Sequence, residues 1–207
     1  MKKIIISILA AIGCVSAASA ATSTFSGSDE SGERRLIYTG DVAYGILPKP
    51  DYGSSGSAFT LTFTFGANYY FWKSLYAGAR IGYAYANTQS CFQFPGEYTY
   101  NTIDVSKHYI MIPIEAGYDF WMLKNKLGLT PYAGFDFGFN VKSKVVNKIG
   151  SNTETKSGNA DVFGANARLG LRVKLWEFYV GAAYVFCLNE TYGDAKGCPE
   201  IAIGWTF

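Results

Sequence analysis

Apolar and polar positions alternate with a period of two over most of this chain. From Phe59 to Tyr69 the odd positions are Phe59, Leu61, Phe63, Phe65, Ala67 and Tyr69, and the even ones Thr60, Thr62, Thr64, Gly66 and Asn68. Successive side chains of a strand point to opposite faces, so one face of this segment is wholly apolar. Ile110, Ile112, Ile114, Ala116, Tyr118 and Phe120 repeat the pattern, as do Leu129, Pro131, Ala133, Phe135, Phe137 and Phe139. So do Phe163, Ala165, Ala167, Leu169, Leu171 and Val173. Eight strands are predicted, at about 34–46, 58–71, 75–87, 105–122, 127–142, 161–175, 178–188 and 198–207.

The connections alternate in length. Trp72-Lys73-Ser74, Leu123 to Lys126 and Trp176-Glu177 are short, whereas 47–57, 88–104, 143–160 and 189–197 are longer and rich in turn-forming residues. An even number of roughly ten-residue strands with short turns at one end and long loops at the other is the signature of a transmembrane β-barrel. Hydrocarbon cannot satisfy backbone N–H and C=O groups, so a sheet in a membrane must close on itself. The predicted fold is therefore all-β, an eight-stranded antiparallel up-and-down barrel with short periplasmic turns and longer extracellular loops.

Charge placement separates this reading from a soluble sandwich or lipocalin-like barrel. The polar parity carries Asp41, Arg80, Glu115, Asp119, Asp136, Arg168, Arg172, Lys174 and Glu200, while the central stretch of the apolar parity carries no charge. A soluble barrel would scatter charge over its exposed face. Here the apolar face looks out to lipid and the charges point inward. Eight strands leave a lumen that side chains can fill, so these nine residues are expected to form a plugged, ion-paired network rather than a pore. Buried charges need partners, and five carboxylates against four cations supply them.

Composition agrees. Aromatic residues make up 17% of the 207 and charged residues only 16%, with 23 Gly, against roughly 25% charged in ordinary soluble domains. Such aromatic content excludes disorder. Eighteen Lys+Arg against 16 Asp+Glu leave +2, too little for a nucleic-acid partner.

Domain organisation is simple. Lys2 and Lys3, the apolar run Ile4 to Ile12 and Ala18-Ser19-Ala20 read as a cleavable signal peptide over 1–20. Ala11-Ile12-Gly13-Cys14 is a competing, weaker lipoprotein box. Residues 21–33 are polar and read as a periplasmic lead-in, and 34–207 as one barrel domain. With both termini periplasmic, Trp72, Trp121, Trp176 and Trp205 fall at one end, the expected periplasmic girdle. Tyr44, Tyr83, Tyr85, Tyr184 and Phe186 form the expected outer one.

The last strand alternates Ile201, Ile203, Trp205 and Phe207 with Ala202, Gly204 and Thr206. On this pattern and the terminal Phe207, the chain resembles the small outer-membrane β-barrels of Gram-negative bacteria: the OmpA transmembrane domain, OmpX and the opacity-type proteins. The resemblance covers roughly 34–207 and implies location in the cell outer membrane. It also implies that Phe207 is an assembly signal read by the barrel-assembly machinery. A peptidoglycan-anchoring role like that of full-length OmpA is not expected, since 34–207 reads as barrel alone.

Three chemical readings remain. Cys187 and Cys198 share inward parity across the last loop and are the candidate disulfide, leaving Cys91 free. Asp104, Ser106 and His108 share a face at the outer end of the fourth strand and have the residue types of an acyl-transfer relay. Their spacing of about 6.5–7 Å per two residues exceeds the hydrogen-bond reach such a relay needs. No Cys/His spacing suggests a metal, and no cofactor is expected. The expected protein is non-enzymatic, bedded in outer-membrane lipid, with loops that meet an unidentified extracellular ligand or support envelope integrity. A lipid-modifying acyl hydrolase and a small low-conductance porin are the alternatives.

Overall fold

The structure, a computed structural model, describes residues 35–48, 55–92, 101–122, 126–158, 163–189 and 196–207. The expected signal peptide, the lead-in and the Cys14 box lie outside them. Ten strands follow in order: β1 Arg35–Ile46, β2 Ser55–Trp72, β3 Leu75–Phe92, β4 Asn101–Tyr118 and β5 Phe120–Met122. Then come β6 Leu127–Ile149, β7 Asn152–Gly158, β8 Phe163–Leu175, β9 Phe178–Cys187 and β10 Gly197–Thr206.

All pairings are antiparallel, and the sheet closes. β1 pairs with both β2 and β10, with Val42 between Phe63 and Ile203, and β4 pairs with both β3 and β6. β4 and β5 form one stave interrupted at Asp119, whose backbone N–H donates instead to the Ser74 carbonyl. β7 pairs among the described residues only with β6 and stands outside the ring. Eight staves result, as the alternation predicts. Two turns at the periplasmic end are two residues long and place non-glycine residues in the left-handed region, Lys73 at φ 44° and Trp176 at φ 54°.

Exposure follows the predicted parity and is inverted relative to a soluble protein. Leu169, Ile201 and Ile203 are about 60% exposed, whereas Thr39, Thr60 and Thr130 are buried. The outward band of aliphatic and aromatic side chains is the lipid-facing surface. Tyr44, Tyr83, Tyr184 and Phe186 stand exposed at its outer margin, with Tyr85 half-buried beside them.

Four expectations need correction. First, strands extend well beyond the belt. The predicted loops at 88–104 and 143–160 are largely strand, because β3 runs to Phe92, β4 begins at Asn101, and β6 and β7 form a hairpin turning at Gly150 and Ser151. Outside hydrocarbon neither face must be apolar, so stretches such as Thr153-Glu154-Thr155-Lys156 pair without showing hydrophobic alternation. Second, β6 carries a bulge. Tyr109 pairs with Asn140 but His108 with Lys142, leaving Val141 extra. Third, Trp121 is not in the girdle: Phe120 and Met122 are exposed, and Trp121 turns inward to within 5.8 Å of the Lys174 ammonium. Trp72 and Trp176 are more than 60% exposed, and Trp205 lies against Phe207.

The fourth correction concerns the last hairpin. Cys198 lies opposite Val185, and the backbone N–H of Cys187 donates to the Lys196 carbonyl. The two cysteines are thus offset by two residues, and Cys91, Cys187 and Cys198 are all free thiols. A disulfide needs Cβ atoms about 3.5–4.5 Å apart, a condition the two-residue offset disfavours.

Leu169 sits halfway along β8 and is 60% exposed. Leu169→Arg should cost about 2–4 kcal/mol at the bilayer midplane, whereas Leu169→Phe should stay near wild type. Urea unfolding of protein refolded into phospholipid vesicles measures both. Equal stability of the two variants would overturn the outward assignment.

Candidate functional site

The lumen is crossed by ion pairs that join strands from opposite walls. All nine sequence-predicted charges face inward, and the structure pairs every one of them. At the centre, Arg172 on β8 donates to both oxygens of Glu115 on β4, at 2.5 and 2.7 Å. Arg80 on β3 bridges the same Glu115, at 2.5 Å, to Asp41 on β1, at 2.8 Å. Tyr76 donates to Glu115 at 3.1 Å; Tyr179 at 2.8 Å and Thr64 at 2.5 Å donate to Asp41. The Arg172 guanidinium lies 3.7 Å above the ring centre of Tyr132, a cation–π contact.

Two further clusters flank this one. Toward the periplasm, Lys174 donates to both oxygens of Asp119 at 2.7 and 2.8 Å, and Tyr70 and Thr130 donate to the same carboxylate at 2.6 and 2.5 Å. Toward the outside, Arg168 pairs with Asp136 at 2.9 Å and with Glu200 at 2.7 Å. Taking charges out of water is costly, and excellent geometry with extra hydrogen bonds offsets it. Tyr70, Tyr76, Tyr132 and Tyr179 are the partners that charge-counting missed. Each occupies an inward position, so parity would have found them.

Glycines on the inward face let these large side chains lie flat. A Cβ on Gly170 would stand 2.5 Å from Tyr132 Cζ, and one on Gly117 would stand 2.7 Å from Tyr76 Oη. Among the described residues these side chains fill the cross-section of the lumen, which argues against the porin reading.

At the outer rim the candidate relay is not assembled. His108 Nδ1 shares a hydrogen bond with Tyr83 Oη, and its ring packs 5.2 Å from Tyr85. Asp104 accepts from Asn87 Nδ2 at 2.7 Å. Asp104, Ser106 and His108 lie along one outward face of β4, facing Val146, Lys144 and Lys142 of β6. Asp104 and His108 take their partners from β3 rather than from each other.

Residues 25–193 match the sequence model of the outer membrane protein beta-barrel domain family. No curated protein matches the chain. Among solved structures, the N-terminal β-barrel domain of Pseudomonas aeruginosa OprF is similar at 12% identity and a TM-score of 0.37, covering 84% of this chain and 100% of that one. Neisserial surface protein A is similar at 15% identity and 0.37, covering 84% and 97%. Ail, the attachment invasion locus protein of Yersinia pestis, is similar at 17% identity and 0.36, covering 85% and 99%.

Glu115 neutralises two guanidinium groups that have no access to water. Glu115→Ala should therefore cost about 3–5 kcal/mol, as expected when one partner of a buried pair is removed. Glu154→Ala breaks only an exposed pair with Lys156 and should leave stability nearly unchanged. Unfolding in vesicles compares them, and a Glu115 variant as stable as the Glu154 variant would refute the network's structural role.

Proposed function

The chain belongs to the outer membrane protein β-barrel domain family, and from that premise we propose a non-enzymatic role in which a plugged barrel anchors an extracellular sheet used for surface contact or envelope integrity. The protein is an integral β-barrel of the outer membrane. The observation that carries the proposal is the projection of β6 and β7 beyond the lipid-facing belt, with Ser151 to Gly158 exposed. A rigid scaffold that displays its most exposed segment at one end suits recognition. The proposed partner of that sheet is an extracellular ligand.

The test is a deletion strain complemented with wild type or with a variant whose residues 143–158 are replaced by a two-residue turn. Heat-modifiable gel migration should report a folded barrel in both. Adhesion to epithelial monolayers or resistance to detergent should fail in the deletion and in the truncated strain alike, with lipid A unchanged by mass spectrometry. Full activity of the truncated form would remove the sheet from function, and altered lipid A acylation would favour the hydrolase.

Biogenesis adds a second proposal, that the barrel-assembly machinery engages β10 through Phe207. This side chain packs against Trp205 and Phe65, and its backbone pairs with Tyr38. Phe207→Ala should lower folded yield in cells several-fold while changing the stability of detergent-refolded barrel little. Normal yield in the membrane would argue against it.

A further inference from the structure

Just above the lipid-facing belt, one flank of the barrel is cationic. β6 leaves the belt at Phe139 and Val141, and its next outward side chains are Lys142, Lys144, Val146 and Lys148. The register fixes this facing: Lys142 lies opposite His108, Lys144 opposite Ser106 and Lys148 opposite Thr102, all on the outward face of β4. On the other side, Thr153, Thr155 and Ser157 of β7 share that face. Below it, Tyr83, Tyr85 and His108 pack together at the margin of the belt.

Among the described residues no carboxylate lies within ion-pair distance of Lys142, Lys144 or Lys148. Asp104 is the one described carboxylate on this face, and it is held by Asn87. Glu154 points to the opposite face with Lys156. The charge is one-sided. At the outer ends of β1, β9 and β10 the described outward residues are Ile46, Phe186, Leu188 and Pro199, and a single described cation, Lys196, stands just before β10.

We propose that this flank of β4, β6 and β7 is a docking surface for the phosphorylated sugar headgroup of an outer-leaflet glycolipid of the lipid A type. Three chemistries converge there. Lys142, Lys144 and Lys148 supply cations for phosphate at headgroup height. Ser106, Thr153, Thr155 and Ser157 supply hydroxyls for the sugar, while the apolar belt directly below receives acyl chains. Lysine stems lie along the strand surface and carry their ammonium groups to the interface. The proposal goes beyond the surface role of the exposed hairpin and does not depend on it.

The test uses the full mature barrel in phosphatidylcholine nanodiscs doped with bisphosphorylated lipid A or with lipid A from which both phosphates have been removed. Retained lipid is counted by native mass spectrometry. Wild type should retain the bisphosphorylated form about thirtyfold better, from roughly two net charges near the surface. The Lys142→Gln/Lys144→Gln/Lys148→Gln variant should lose that preference, and Lys156→Gln, on the opposite face, should keep it. Equal retention of the two lipids by wild type would overturn the proposal even if the triple variant fails to fold. So would an unchanged preference in a folded triple variant. Competition by millimolar inorganic phosphate would identify a soluble anion site and overturn the lipid assignment.

Discussion

Backbone amides in hydrocarbon have no water to bond, and everything in this molecule follows from that. The sheet must have no open edge at membrane depth, so β1 pairs with β10 along Thr39 to Gly45 and β4 with β6 along Tyr109 to Gly117. Closure then reverses the usual distribution of side chains. Leu169, Ile201 and Ile203 face out because their surroundings are apolar, and Asp41, Glu115 and Arg172 face in because no lipid reaches them.

Closing only eight staves has a second consequence, because the lumen is narrow enough for side chains to fill it. A filled lumen in a polar barrel must be filled with polar groups, and the charged ones find their partners across the barrel rather than along their own strands. Glu115 joins β4 to β3 and β8, and Asp41 joins β1 to β3 and β9. Gly117 and Gly170 give the tyrosine rings room within this network. The interior therefore acts as a set of crosswise braces.

The membrane-spanning part was legible because a single physical demand wrote it. Wherever one face must be apolar, as at Phe59 to Tyr69, alternation reveals strand, facing and number. Where that demand stops, so does legibility. Thr88-Gln89-Ser90 and Asn152 to Gly158 are polar on both faces, and nothing in their pattern distinguishes paired strand from loop. Interruptions were equally hidden: the break at Asp119 that turns Trp121 inward and the two-residue offset of Cys187 from Cys198 depend on pairing between strands. The nine interior charges were found by parity alone. The outer-rim residues were visible as residue types, but their partners Tyr83 and Asn87 became visible only once β3 was aligned with β4.

The bulge at Val141 links the two regimes. Below it the even positions of β6 face the lumen, as Asp136 and Asn140 do; above it Ser143 is the buried residue and the even positions face out. Continued without the extra residue, the strand would aim Lys142, Lys144 and Lys148 over the barrel mouth and turn Val145 and Ile149 toward the headgroups. One inserted residue thus exchanges an apolar flank for a cationic one at the level where hydrocarbon ends. A register shift of one residue flips every side chain beyond it, which is an economical way to change a strand's facing where its solvent changes. The bulge sits beside His108, Tyr83 and Tyr85, so the aromatic margin and the cationic flank meet at the same height. That coincidence is what a protein needs if its outer surface must match hydrocarbon and anionic headgroup in immediate succession.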